Sequence, residues 1–213
     1  MVVRTHILKT KNNEDYYAIM MELAGDVSAK HIMAINPRQG EYLKLKDETI
    51  IDSFVSDEEW VLEAQSFSTK IYAGHSHRPL KDIPCEYYDA VLVCEDMAYV
   101  DDCDAMFRQY FRILKQTGVL IGGLWNISYA DNIDSLISGI SVSHDSRLCG
   151  TSMIPLDAML SRLRELGFRQ ADIHRLMGSR VDAEVYAKVS RKNIDPVPLE
   201  VFNTKINFIC AYK

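Results

Sequence analysis

Apolar positions fall into short blocks separated by polar turns. VVRTHILK reads as a strand, and NEDYYAIMMELAGDV carries apolar residues at helical spacing. Asn13 is placed to cap that helix, Glu14 and Asp15 to meet its positive end, and Gly25 to stop it. From His31 the blocks alternate in kind. HIMAI and ETIIDSFV read as strands, DEEWVLEAQSF as a helix, and TKIYAG and YDAVLVC as strands again. DDCDAMFRQYFRILKQTG is the clearest helix, with acids leading and Lys115 and Gly118 closing it. VLIGGLW is a strand whose two glycines mark close approach. A polar and mixed segment runs from Asn126 to Ser152. PLDAMLSRLRELG is then an amphipathic helix with Pro155 in its first turn and Gly167 after its end. RQADIHRLM reads as a strand, VDAEVYAKVSRKN as a helix and KINFICAY as a last strand. Strands alternate with helices, and several are apolar on both faces. This predicts an α/β fold with a mostly parallel sheet covered on both sides.

Composition sets the frame. The 213 residues, 47% hydrophobic, suffice for a sizeable core. We expect residues 1–30 to form an extension packed on an α/β domain of residues 31–213. The 24 basic and 30 acidic residues leave a net charge of -6, which argues against general nucleic-acid binding. Five cysteines without a CxxC pair predict neither a disulfide framework nor a metal site. The N-terminal stretch lacks a signal-peptide core, and no run approaches the ~20 apolar residues of a membrane span. A cytoplasmic protein with no membrane partner is the expectation. The oligomeric state is open, a homo-oligomer included.

One order of segments is more specific. YYDAVLVCEDMAYVDDCDAMFRQYFRILKQTGVLIGGLWN resembles the middle of a class I S-adenosylmethionine-dependent methyltransferase. Tyr88-Asp89 stands where that family's fourth strand opens. Leu114-Lys115-Gln116-Thr117-Gly118 fills its turn after the next helix, and Val119 to Leu124 its fifth strand. SHDSRLCGTSMIPLDAMLSRLRELGF is similar to the loop and helix before the sixth strand, and NFICAYK to the last. The resemblance implies a Rossmann-like sheet with helices on both faces and an antiparallel last strand. It also implies S-adenosylmethionine as cofactor and a small-molecule or sugar acceptor. The alternating blocks alone do not separate this fold from a dinucleotide-binding domain.

Ligands of such sheets lie at the carboxyl ends of the strands, near the switch in strand order. The resemblance therefore assigns cofactor positions to Ala34, Asn36, Pro37, Gly40, Asp57, His75, Cys94 and Glu95. The family has an acid near the end of strand one and three glycines at alternate positions. Laid on MAINPRQG, these become Ala34, then Asn36, Arg38 and Gly40. Pro37 fixes its own φ and restricts Asn36, so the loop takes another shape. The ribose-binding acid aligns near Val55, between Asp52 and Asp57, and Asp57 also reads as a helix cap. His75 stands in place of an adenine-binding Asp, and also suits a solvated loop. Cys94 and Glu95 fall at the mouth. Adjacent on a strand, Glu95 and Asp96 point to opposite sides and make no obvious acid/base pair. Trp125, Asn126, Tyr129 and His144 suit an acceptor wall, and equally suit ordinary loop closure.

Two readings follow: a methyltransferase with an atypical cofactor loop, or a non-catalytic relative that binds or assembles. A dinucleotide-binding protein is a third, and lacks the glycines its own fingerprint needs.

Overall fold

The computed structural model describes residues 1–8, 16–37, 48–74, 78–99, 103–137, 154–178, 186–187 and 198–213. Its strands are β1 Val2–Ile7, β2 His31–Ile35, β3 Ile50–Val55, β4 Lys70–Ala73, β5 Tyr88–Asp96, β6 Leu114–Trp125, β7 Gln170–Met177 and β8 Thr204–Tyr212. They form one sheet in the order β1-β7-β8-β6-β5-β2-β3-β4. β8 runs antiparallel to both β6 and β7, and every other pair is parallel. The mostly parallel sheet and antiparallel last strand expected from the sequence are present.

The helices are α1 Tyr16–Asp26, α2 Val61–Ala64, α3 Cys103–Ile113, α4 Ala130–Ile137, α5 Leu156–Leu166 and α6 Leu199–Asn203. Alternation along the central strands sends side chains into two cores. Met33, Ile35, Val91 and Val93 meet Phe107, Tyr110, Met159 and Leu163 of α3 and α5. Ile32, Ala34, Leu92 and Cys94 face the other way, in the core built with Ile19, Met20 and Leu23 of α1. Strands buried on both faces therefore read as unbroken apolar runs rather than as alternation.

Several local expectations shift. The expected helix in DEEWVLEAQSF shrinks to a 3-10 turn, Glu58–Trp60, and the four residues of α2. Gly25 lies inside α1 rather than stopping it, and Ser28 takes the positive φ (53°) beyond. Leu114 already pairs with Tyr88, whereas the next pair is Ala90 with Val119. Residues 115–118 thus bulge out of β6, and Lys115 bonds Asp89 at 2.7 Å from that bulge. Gly118 is not left-handed; its Cα lies where an added Cβ would come within 2.9 Å of the Lys115 carbonyl. Pro155 is the cap of α5 rather than part of its first turn, and Gly167 follows at φ 109° as expected. The sequence reading does not anticipate helices α4 and α6. The expected helix in VDAEVYAKVSRKN lies almost wholly outside the described residues, as does Asn13.

Asp89 fastens the amino ends of the central strands. Its carboxylate accepts N–H bonds from Lys30 (3.2 Å) and His31 (2.9 Å) besides the Lys115 ammonium. Burial would raise its pKa, but Lys115 and the His31 N–H outweigh that and hold it below the ordinary carboxylate value. Among the described residues no helix is long and apolar enough to cross a membrane.

Candidate functional site

β2 is the switch point: β3 lies on one side of it and β5 on the other. The parallel strands bring Asn36, Ser56, Glu95 and Asn126 to one edge of the sheet, where ligands of such folds bind. The first strand-to-helix turn begins there with Asn36.

Asn36 adopts a left-handed backbone, φ 47°, which asparagine tolerates better than most residues. Its N–H donates to the Phe54 carbonyl at 2.8 Å, extending the β2–β3 ladder by one residue. Its side chain is used at both ends. Oδ1 accepts the Ser56 N–H at 2.8 Å, and Nδ2 donates to Glu95 Oε1 at 2.9 Å. One side chain thereby ties the carboxyl ends of β2, β3 and β5 together. Ala34 is fully buried within β2, its methyl group among the core side chains. Pro37 is also buried. Val55 is buried, and Asp57 is exposed, its carbonyl accepting the Trp60 N–H at 3.1 Å. Asp52 lies lower in β3, opposite Met33, and accepts the Tyr88 hydroxyl at 2.8 Å.

The neighbouring gap, between the ends of β5 and β6, is occupied by Tyr16 at the start of α1. Its hydroxyl accepts the Gly123 N–H at 2.9 Å and donates to the Glu95 carbonyl at 3.0 Å. A Cβ on Gly123 would drive into the Tyr16 ring. Burial raises the phenol well above its ordinary pKa, and Asp96 adds to this, so it stays a neutral donor.

Glu95 and Asp96 diverge as alternation requires. Glu95 is half-buried and turns to Asn36, whereas Asp96 is buried at 7% exposure. Asp96 accepts the Ala98 N–H at 2.9 Å and the Trp125 N–H at 3.4 Å. Burial pushes its pKa up to about 6, against the pull of those two donors. Cys94 is buried, and burial raises its thiol far above the range where a thiolate forms.

The residues assigned to an acceptor wall divide. Trp125 is half-buried at the end of β6, with Lys205 Nζ 5.6 Å from its ring centre. Asn126 is buried, and its amide serves the chain itself. It donates to the Val201 and Thr204 carbonyls at 2.6 and 2.8 Å and accepts the Ser128 N–H at 3.1 Å. Tyr129 is buried against Gly178. Gly40, His75 and His144 lie outside the described residues.

Tyr16 and Ser56 carry no sequence signal for a place at this edge. Asp96 carries only its adjacency to Glu95, which does not mark it out. The Gly122-Gly123 pair is a signal of close approach, without naming the ring that approaches. Among the described residues no group of three or more His, Cys, Asp or Glu is arranged to hold a metal ion.

No family model matches the chain, and no curated protein matches it by sequence. Solved structures do. A SAM-dependent methyltransferase from Archaeoglobus fulgidus matches with TM-score 0.63 at 17% identity, over 93% of this chain and 95% of that one. One from Thermotoga maritima matches with TM-score 0.62 at 15% identity, over 93% and 90%. A Burkholderia thailandensis N-methyltransferase with bound S-adenosylhomocysteine matches with TM-score 0.54 at 11% identity, over 94% and 79%. Strand order, antiparallel last strand and full-length likeness agree: this chain has the class I SAM-dependent methyltransferase fold.

Proposed function

We propose that the chain is a methyltransferase-fold protein whose cofactor mouth is bonded to itself, and that it works as a binding or assembly module. The observation that carries this reading is the Asn36 side chain, bound at once to the Ser56 N–H and to Glu95. A ligand entering between β2, β3 and β5 has to break both bonds and pair each partner again. The described residues also fit S-adenosylmethionine poorly. Ala34 offers no carboxylate to the cofactor's ammonium, and buried Val55 none to its ribose. Fold likeness leaves this open, because one fold hosts many activities.

A second reading, methyl transfer to a small-molecule acceptor, is favoured by Asp96. A buried carboxyl at the mouth with a pKa of about 6 suits a proton acceptor near neutral pH. Trp125 then contributes to the acceptor wall.

Calorimetric titration with S-adenosylmethionine and S-adenosylhomocysteine separates the two. The first reading expects no saturable heat up to ~1 mM ligand, a binding free energy weaker than about 4 kcal/mol. Micromolar binding that Asn36→Asp alters would overturn it in favour of the enzyme.

A further inference from the structure

We infer that β1 is a self-pairing edge, through which two copies of this chain join their sheets antiparallel about a two-fold axis at Thr5. This stands independently of what the mouth binds. β1 ends the strand order, and all six of its residues are exposed. Val2, Val3 and Ile7 are among the large apolar side chains most open to solvent, at 59%, 42% and 52%. Of the Pro, acidic and basic residues that ordinarily protect an edge strand, β1 holds no Pro, Lys or acid, and its charge is Arg4.

The backbone specifies which groups are on offer. Val2 N–H donates to the Arg169 carbonyl at 2.8 Å and Leu8 N–H to the Arg175 carbonyl at 3.0 Å. In a parallel ladder alternate residues bond the same neighbour, so the even residues of β1 serve β7. The N–H and C=O groups of Val3, Thr5 and Ile7 therefore point away from the sheet. In an antiparallel pair, outward-pointing residues meet as directly opposed partners exchanging two bonds each.

The side chains select the occupant. From Val2 to Leu8 the order is apolar, apolar, basic, Thr, basic, apolar, apolar, which reads the same from either end. An isologous contact requires this self-complementarity. With Thr5 opposite the partner's Thr5, Val3 meets the partner's Ile7 and Val2 meets the partner's Leu8. Arg4 lies beside the partner's His6 rather than beside another arginine. A two-fold axis normal to the sheet keeps each residue on its own face, so only registers placing a residue opposite itself are allowed. Centring on Arg4 would also oppose outward groups, Val3 with the partner's Thr5, but it sets Arg4 directly opposite the partner's Arg4, two like charges that repel, whereas centring on Thr5 does not.

The test is sedimentation equilibrium from ~5 to ~200 µM, a range suited to a small interface. We expect a concentration-dependent species of twice the 24.3 kDa chain mass. Thr5→Pro removes an outward N–H that β7 does not use, and is expected to weaken association at least tenfold. Circular dichroism should be unchanged. Register is read by cross-linking in a Cys85→Ser background, with that background as control. Directly opposed Cα atoms in such a pair lie ~5.5 Å apart, within disulfide reach. Thr5→Cys should form a covalent dimer on mild oxidation, and Val3→Cys should not. A monomer at every concentration, a dimer indifferent to Thr5→Pro, or cross-linking through Val3→Cys instead of Thr5→Cys would each overturn the inference.

Discussion

Asp96 and Asn36 make different demands on the same edge. Asn36 bonds a partner with each end of its side chain, and its left-handed backbone is the cost of reaching both. Asp96 is buried with only two N–H donors, so its ionised form is disfavoured. Its folded pKa, about 6, lies above the ordinary value of 3.8. Between those values the folded state binds a proton that the unfolded chain does not. Its contribution therefore stabilises as pH falls from 6 towards 4, and the cost of ionisation is fully present above 6. Asp96→Asn should raise the unfolding free energy by about 1–2 kcal/mol at pH 8. That gain should disappear by pH 4, and urea unfolding at several pH values measures it. A gain independent of pH would mean that Asp96 is solvated. Asp89 has the opposite sign, because Lys115 and the His31 N–H favour its charged form against burial. Its contribution is present above the ordinary carboxylate range and lost as pH falls through its lowered value.

Tyr16 closes the junction of helix α1 and strand β6. Tyr16 packs beside Phe208, 5.1 Å between ring centres, and its hydroxyl closes on Gly123. Gly123→Ala should cost about 1–3 kcal/mol by overpacking against that ring. Tyr16→Ala should cost about 3–5 kcal/mol through cavity and lost bonds. The double variant should cost less than the sum by at least about 1 kcal/mol, because removing the ring makes room for the methyl group. Thermal or urea unfolding of the three variants closes this cycle, and strict additivity would contradict the packing. The glycine pair is visible in the sequence as a place of close approach. Its partner is not, since Tyr16 lies 107 positions away. Helix α2 is shorter than its pattern suggests, because an acidic first turn and an apolar side do not oblige all eleven residues to continue the helix. Helix α4 escapes the pattern because polar residues dominate the segment around it.

The assembled sheet is most secure at its middle. β2, β5 and β6 lie between neighbours on both sides, and their central residues are buried on both faces. β4 stands at one edge with no buried residue. Hydrogen exchange should therefore leave amides of Ile32–Ile35, Val91–Val93 and Leu120–Gly122 protected longest. They should exchange at least ~10³-fold more slowly than Lys70–Ala73. Equal protection in β4 would mean that something else covers that edge.

The order of the strands along the chain and the two-sided burial of the central ones are legible in the sequence alone. They follow from local properties, the period and length of apolar runs, that each segment carries by itself. The resemblance also assigns a ligand edge to these strand ends, and sets Ala34, Asn36 and Arg38 where the family has an acid and glycines. What the edge does with those replacements is decided by the tertiary structure. Asn36 and Glu95 are 59 positions apart, and their bond exists because β2 and β5 are neighbours in the sheet. Tyr16 fills its gap only because α1 folds across β6. A local pattern states which residues must be buried; which polar groups then meet depends on how distant segments are brought together.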